Sequence, residues 1–246
     1  YTYMRNQLCS KPFRILHIGT KDLKHKSLHK PSSERFINLL DPFLNNSSWV
    51  TINCIEDDLP TQVKSFDAYL ITGGKYSVFE SLEWQDNLFN FIHKIYNANI
   101  LLIGVCYGHQ AIAHALGGNV ERFNNGWGIG VTTLDVVERA EWMQPMTEKV
   151  NLLSMHQDQV TKIPPLATRF LGSNFCYNSG FYIDNKVLAI QQHPEFTPEL
   201  CRDLITKRKD RIGDNYIEAL ESLNTKHQGK IIGKWIAKFL TLHKKN

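Results

Sequence analysis

The feature that most constrains this chain is an apolar run, Ile100-Leu101-Leu102-Ile103-Gly104-Val105, that passes without a break into Cys106-Tyr107-Gly108-His109-Gln110. Ala111, Ile112, Ala113, Ala115 and Leu116 then continue at helical spacing. A strand that is apolar on both faces belongs in the middle of a parallel sheet covered by helices. A helix that starts at once leaves Cys106 alone at the turn. Gly104 and Gly108 stand two residues before and two after it, where a crowded, strained turn has no room for bulk. Small-x-nucleophile-x-small at a strand-to-helix turn is the spacing of a nucleophile elbow. The position favours an anion, because the free N–H groups of the helix start and the helix dipole face the sulfur. The Tyr107 N–H points the same way and can serve half of an oxyanion hole. A buried structural cysteine in a glycine-rich turn fits the same residues, so the turn alone leaves both readings open.

The flanking pattern supports the sheet. Strands are predicted at 13–18, 49–54 and 68–72, the last ending on Gly73-Gly74. Helical spacing runs from Ser33 through Phe36, Ile37, Leu39, Leu40 and Phe43, and again through Trp84, Leu88, Phe91, Ile92 and Ile95. Strands alternating with helices predict a doubly wound α/β fold with a mostly parallel central sheet and flanking helices. After Leu116 the pattern changes. Strands at 130–137, 169–174, 181–183 and 187–191, joined by short connections, predict a small antiparallel annex. From Thr197 the chain reads helical, with Leu220, Leu223, Ile231, Ile232, Trp235, Ile236, Phe239 and Leu240 as its apolar stripe, expected to close the core rather than dock a partner. The whole, 1–246, reads as one domain, with a core of 13–197 and a C-terminal helical segment of 198–246.

Composition excludes several classes. No apolar run reaches the ~18–20 residues that cross a bilayer, so no membrane partner is expected. Residues 1–11 lack the apolar stretch of a secretory leader. Five scattered cysteines, Cys9, Cys54, Cys106, Cys176 and Cys201, have no paired spacing, which reads as reduced thiols in a cytoplasmic protein. The net charge of +4 comes from a late excess: Lys207, Arg208, Lys209, Arg211, then Lys226, Lys230, Lys234, Lys238, Lys244 and Lys245. Asp210, Asp214, Glu218 and Glu221 interrupt it, so it reads as a solvated helical face, and no nucleic-acid partner is expected.

A nucleophilic cysteine needs a base and a group to orient that base. Gln192-His193-Pro194-Glu195 ends the last predicted strand. Strand C-termini of a parallel sheet collect on one edge, so His193 can meet Cys106 although the two are far apart in sequence. Glu195, beyond the stiff Pro194, can reach back to hold the imidazole tautomer. A plain strand-end turn with an exposed His and Glu fits the same four residues. His25 and His29 are four apart but lack a third ligand, so no metal is expected. His109 and His114 face different sides of their helix, and His109 reads as a packed structural residue.

Three segments occur in order: Gly104-Val105-Cys106-Tyr107-Gly108-His109-Gln110, Ser154-Met155-His156-Gln157-Asp158-Gln159-Val160 and Gln192-His193-Pro194-Glu195. With them the chain resembles the class I glutamine amidotransferases. Within these it is most similar to the stand-alone branch near the amidotransferase part of GMP synthase and the γ-glutamyl peptidases. The resemblance covers roughly 13–197 and implies a flavodoxin-like fold. It implies a catalytic triad of Cys106, His193 and Glu195, with the cysteine attacking the side-chain amide of a glutamyl group to form a thioester. Gly74, in the match Thr72-Gly73-Gly74-Lys75, joins Tyr107 as the second oxyanion donor. Gln110 matches the position that meets the substrate α-amino end. Backbone groups of Met155, His156 and Gln157 match the segment holding the amino-acid head. Gly126-Trp127-Gly128-Ile129-Gly130 resembles the Gly-Trp segment of the stand-alone branch. Two departures border the substrate and leave the triad intact. Lys75 stands where Pro is common, and Met155-His156-Gln157-Asp158 where many relatives have Ser-His-Gly-Asp.

The expected substrate is a small γ-glutamyl molecule, and no cofactor is implied. About 50 residues follow Glu195, too few for an ATP-using synthase, and no phosphate-cradling Gly-x-x-x-x-Gly-Lys-Ser/Thr is present. Three readings remain: hydrolysis of γ-glutamyl amides, whether glutamine or γ-glutamyl peptides and conjugates; a glutaminase subunit serving a separate synthase; and a non-catalytic binding protein on the same fold.

Overall fold

The computed structural model describes residues 11–20 and 28–244. Residues 1–10 of the stretch read for a leader, with Cys9, and also His25 and Lys245, lie outside the described residues. In chain order the elements are β1 (Phe13–Thr20), α1 (Ser32–Leu40), β2 (Ser47–Asn53), β3 (Ala68–Gly74), α2 (Glu83–Asn97), β4 (Leu101–Val105), α3 (Tyr107–Ala115), β5 (Asn119–Arg122), β6 (Gly128–Val136), β7 (Lys149–His156), β8 (Asp158–Lys162), β9 (Thr168–Gly172), β10 (Gly180–Ile183), β11 (Val187–Ile190), α4 (Pro198–Lys207), α5 (Lys209–Ile212), α6 (Tyr216–Ser222) and α7 (Gly229–His243).

A nine-stranded sheet runs in the order β2-β1-β3-β4-β11-β10-β9-β6-β7. The pairings β2-β1, β1-β3, β3-β4 and β4-β11 are parallel. From β11 to β7 each further pairing is antiparallel. β4 is buried at every position, as a strand apolar on both faces must be. Alternate residues of the parallel strands feed two cores. Ile15, Leu70 and Ile103 pack with Phe36 and Leu40 of α1 and with Ile232, Trp235, Ile236 and Phe239 of α7. Leu16, Ile18, Tyr69, Ile71 and Leu102 pack with Leu88, Phe91 and Ile92 of α2 and Ala111 and Ile112 of α3. The α/β fold with helices on both faces follows from that alternation.

A small antiparallel sheet is present, and it consists of β5 and β8. The four strands expected in it, 130–137, 169–174, 181–183 and 187–191, lie in the large sheet instead. Short connections correctly imply antiparallel neighbours. They do not say whether those neighbours form their own sheet. The parallel pairing of β11 on β4 decides that, because it offers β10, and then β9, β6 and β7, an edge to extend. β5, β7 and β8 escaped the sequence pattern. β5 and β8 are short and partly exposed, and Asn151 and Ser154 break the apolar period of β7.

The C-terminal helix closes the core: Trp235 is fully buried and its indole N–H donates to the Pro145 carbonyl at 3.0 Å. Lys226, Lys230, Lys234, Lys238 and Lys244 are exposed, as are Lys207, Lys209 and Arg211. Arg208 departs from the reading of a solvated face and is half-buried. The four described cysteines are free and buried. His109 is fully buried with its ring 5.1 Å from Phe181, while His114 packs on Phe89 on another side of α3. Among the described residues no helix is long and apolar enough to cross a membrane.

Candidate active site

The elbow is built as its glycines require. Cys106 caps the start of α3 with φ 55° and ψ −105°, a left-handed conformation that costs a non-glycine residue of order 1–3 kcal/mol. The fit around it holds it there. A Cβ on Gly104 would lie 2.6 Å from the Gly108 carbonyl oxygen, and one on Gly108 would run into the Ile71 carbonyl. The Cys106 N–H donates to the Ile190 carbonyl at 2.9 Å, which ties the nucleophile turn to the end of β11.

His193 follows β11 by three residues, and its N–H donates to the Leu153 carbonyl at 2.8 Å. These two backbone bonds bring Cys106 and His193 together at the C-terminal edge of the parallel strands. His193 Nδ1 lies 2.8 Å from Glu195 Oε1, with both side chains buried. The other ring nitrogen lies on the Cys106 side: a Cβ on Gly73 would stand 3.6 Å from His193 Nε2 and 3.3 Å from the Cys106 Cβ. Burial opposes charge on His193, but the Glu195 carboxylate and then Cys106 outweigh it, raising its pKa from 6.5 to about 10. The imidazole stacks on Phe196 at 3.8 Å and 14°. A Cβ on Gly229 would clash with the Pro194 carbonyl, so the start of α7 presses directly on the His193–Glu195 turn.

The glycine pair after β3 divides its duties. A Cβ on Gly73 would lie 2.7 Å from His193 Cε1 and 3.3 Å from the Cys106 Cβ, so Gly73 walls the space between these two side chains. Gly74, the expected oxyanion donor, packs on Thr20, 2.9 Å from its carbonyl oxygen by the same measure. The Tyr107 phenol accepts from Gln85 Nε2 at 3.0 Å. Burial holds that phenol well above the usual tyrosine range. Gln85 Nε2 also donates to the Ser77 carbonyl at 2.7 Å, so α2, α3 and the loop after Gly74 share one anchor.

Gln110 is buried, and its Nε2 donates to the Asp158 carbonyl and to Gln191 Oε1, both at 3.0 Å. Two acceptors on the nitrogen fix the orientation of the amide. Met155 and His156 end β7, and Gln157 begins the turn into β8. His156 Nδ1 meets the Asp158 carbonyl at 3.2 Å, and burial pushes its pKa down to about 4. Asp158 itself ties the region down: Arg122 Nε donates to Oδ1 at 3.0 Å and the Ser77 hydroxyl donates to Oδ2.

Sequence reasoning missed a second group around the Glu195 carboxylate. His17 of β1 and Arg35 of α1 both interact electrostatically with Glu195. Glu195 Oε2, His17 Nδ1 and Arg35 Nε are buried without a hydrogen-bond partner. The Arg35 guanidinium lies 5.5 Å from the Phe196 ring that stacks on His193. His17 reads in the sequence as an ordinary strand residue, and only the sheet places it under Glu195. Among the described residues no group of three or more His, Cys, Asp or Glu could hold a metal ion.

The glutamine amidotransferase class-I family model matches residues 38–209. The chain belongs to this family. Among relatives of the class I amidotransferase chain, a Saccharomyces cerevisiae protein named as a glutamine amidotransferase is 34% identical over 153 residues, 59% of this chain and 61% of that relative. The match therefore spans less than two thirds of the yeast protein. γ-Glutamyl peptidase 4 of Arabidopsis thaliana is 24% identical over 224 residues, covering 87% of this chain and 88% of its own length. A glutamine-hydrolysing GMP synthase subunit from Sulfolobus acidocaldarius is 30% identical over 136 residues, 54% of this chain and 70% of that protein. The crystal structure of a glutamine amidotransferase from Thermotoga maritima superposes with a TM-score of 0.74 at 20% identity, covering 96% of this chain and all of that one, which shows the shared fold.

The buried histidines of this amidotransferase chain set its pH dependence. Burial lowers the pKa of His17 to about 4, of His109 to about 3 and of His156 to about 4. Their folded values lie below the unfolded 6.5, so the stability they contribute is complete above pH 6.5 and is lost as pH falls toward 4. His193 has the opposite sign: raised to about 10, it contributes fully below pH 6.5 and loses that contribution as pH rises toward 10. Each group contributes a slope of up to ~1.4 kcal/mol per pH unit inside its window. Urea midpoints measured from pH 4.5 to 8.5 are expected to peak near the unfolded histidine pKa, with the steeper fall on the acid side. A midpoint that climbs steadily to pH 8.5 would contradict this balance.

Proposed function

We propose that the chain hydrolyses γ-glutamyl amides through a γ-glutamyl thioester on Cys106. The observation that carries this is the arrangement at the sheet edge: a thiol on a strained elbow, beside an imidazole whose far nitrogen lies 2.8 Å from a buried carboxylate. The Cys106 sulfur attacks the γ-carbonyl carbon. Its proton resides on His193, held in the required tautomer by Glu195. The Tyr107 and Gly74 N–H groups take the developing oxyanion. His193 then protonates the departing nitrogen, the C–N bond breaks and the amine leaves. Water, deprotonated by the same histidine, attacks the thioester and releases glutamate, returning the proton to the Cys106–His193 pair. Gln110 Oε1 and the backbone of Met155, His156 and Gln157 hold the α-amino acid end.

The peptidase relative, matched over most of both chains, favours γ-glutamyl peptides within this class. A second reading rests on the GMP synthase relative from Sulfolobus acidocaldarius: glutaminase action in service of a separate synthase. Incubating the purified protein with glutamine and a panel of γ-glutamyl dipeptides, and measuring free glutamate, separates the two. Turnover of dipeptides by the protein alone is the expected result. No release from any γ-glutamyl compound would refute the hydrolase, and glutaminase activity that emerges only with a synthase captured from native lysate would establish the second reading.

A further inference from the structure

One buried carboxylate joins the loop after Gly74 to the segment 155–157. Asp158 opens β8, and the register of the small sheet sets it opposite Arg122, the last residue of β5. Arg122 Nε donates to Asp158 Oδ1 at 3.0 Å, and the Ser77 hydroxyl donates to Oδ2. Arg122 Nη2 donates in turn to Ser77 Oγ at 2.9 Å, so the three side chains close on one another. The Asp158 backbone faces elsewhere. Its carbonyl accepts from Gln110 Nε2 at 3.0 Å and lies 3.2 Å from His156 Nδ1.

Ser77 is held at each of its polar atoms. Its N–H donates to Glu80 Oε1 at 2.6 Å, and its carbonyl accepts from Gln85 Nε2 at 2.7 Å. The same Gln85 nitrogen donates to the Tyr107 phenol. At the other end of the glycine pair, Thr20 Oγ1 donates to the Gly73 carbonyl at 2.9 Å. The stretch 73–77 is thus pinned on β1 at one end and on Asp158 at the other. Ser77 and Asp158 are both buried, and polar groups taken out of water are costly unless their bonds are made. An apolar pair would close this space at no such cost. The polar link instead fixes direction and distance between two segments 81 residues apart in sequence.

A glutamyl group spans both segments. Its γ-carbonyl belongs at the Tyr107 and Gly74 N–H groups, and its α-amino acid end at Gln110 and the 155–157 backbone. A misplacement of ~1 Å between two such subsites can cost on the order of a hundredfold in rate. Resting on the hydrolase reading above, we propose that Ser77, with Asp158 and Arg122, is a positioning residue that sets the distance from the glutamyl-head site to the Gly74 oxyanion donor, so that a bound head delivers its γ-carbonyl into the oxyanion hole.

Ser77→Ala cuts the link and leaves both contacts to the Asp158 carbonyl in place. It is expected to lower kcat on a γ-glutamyl dipeptide roughly tenfold, the scale of one hydrogen bond to a charged group. KM and the inhibition constant of glutamate, which fills the head site alone, are expected to stay within about twofold of native. Asp158→Asn is expected to lower kcat too, and the double variant to be no slower than the slower single, because both cut one link. Arg122→Met, at the exposed corner, is expected to give the same split between kcat and KM and carries the test if Ser77→Ala does not fold. Native kcat in the folded variants, a weakening of glutamate that accounts for the loss, or losses that multiply in the double variant each overturn the proposal. A native enzyme that releases no glutamate from any γ-glutamyl compound refutes the hydrolase reading itself, a result distinct from all of these.

Discussion

Cys106→Ala, His193→Ala and the double variant are expected to fall to one common floor, roughly 10³–10⁴-fold below the native rate of glutamate release. The geometry makes the pair a unit. The Cys106 and His193 side chains meet across Gly73, and the far nitrogen of the ring is committed to Glu195 at 2.8 Å. A sulfur without the imidazole loses the acceptor of its proton and the donor to the leaving nitrogen. An imidazole without the sulfur has nothing to activate. The second substitution therefore has little left to remove, and multiplicative losses would show that the two act independently. Steady-state kinetics on one γ-glutamyl dipeptide measures this, together with a thiol-directed glutamine analogue that should label the native protein and not Cys106→Ala. Near-normal turnover by His193→Ala would sink the assignment of the base, and labelling at another cysteine that of the nucleophile.

The largest effect on stability is expected from Trp235→Ala, a loss of about 3–5 kcal/mol. Trp235 is the largest of the fully buried side chains. Its ring meets Trp142 at 6.4 Å and Phe170 at 6.5 Å, and its N–H satisfies the Pro145 carbonyl at 3.0 Å. Truncation leaves a cavity bounded by the sheet and the segment before β7, and orphans a carbonyl, so the transfer and hydrogen-bond losses add. For a domain of this size that corresponds to a fall in Tm of roughly 6–20 °C. A shift below ~2 °C would mean that α7 is an appendage that docks elsewhere rather than the lid of the core. Thermal melts followed by tryptophan fluorescence and by far-UV dichroism would distinguish local fraying of α7 from cooperative loss.

Much of the fold was legible because its signals are local. The 100–105 run, the alternation of short strands with helical stripes, and the apolar positions of α7 each report burial through periodicity alone. The candidate site was legible in pieces, because an elbow needs small residues on both sides of its nucleophile and a base needs a nearby orienter. What stayed out of reach had a long-range cause. β7 and β8 carry Met155, His156 and Asp158, with Gln157 between them, yet their polar residues break the strand period, and their pairing depends on partners remote in sequence. His17 and Arg35 look like an ordinary strand residue and an ordinary helix residue until the fold brings both within electrostatic reach of Glu195. Gly73, beside the recognised Gly74, is identified by the atoms a side chain would strike.

By itself, then, the sequence determined which residues could do chemistry, because thiol, imidazole and carboxylate sit at turns whose geometry short-range sterics dictate. The tertiary structure decided which of them meet. The parallel pairing of β11 on β4 carries Ile190 to the Cys106 N–H and so brings His193 to the sulfur. The same pairing turned the expected annex strands into an extension of the main sheet. It is also only in the folded chain that α4 and α6 pack over β6 and β7, because Leu153 and Met155 are covered there by Leu200, Ile205 and Ala219, residues remote from them in sequence.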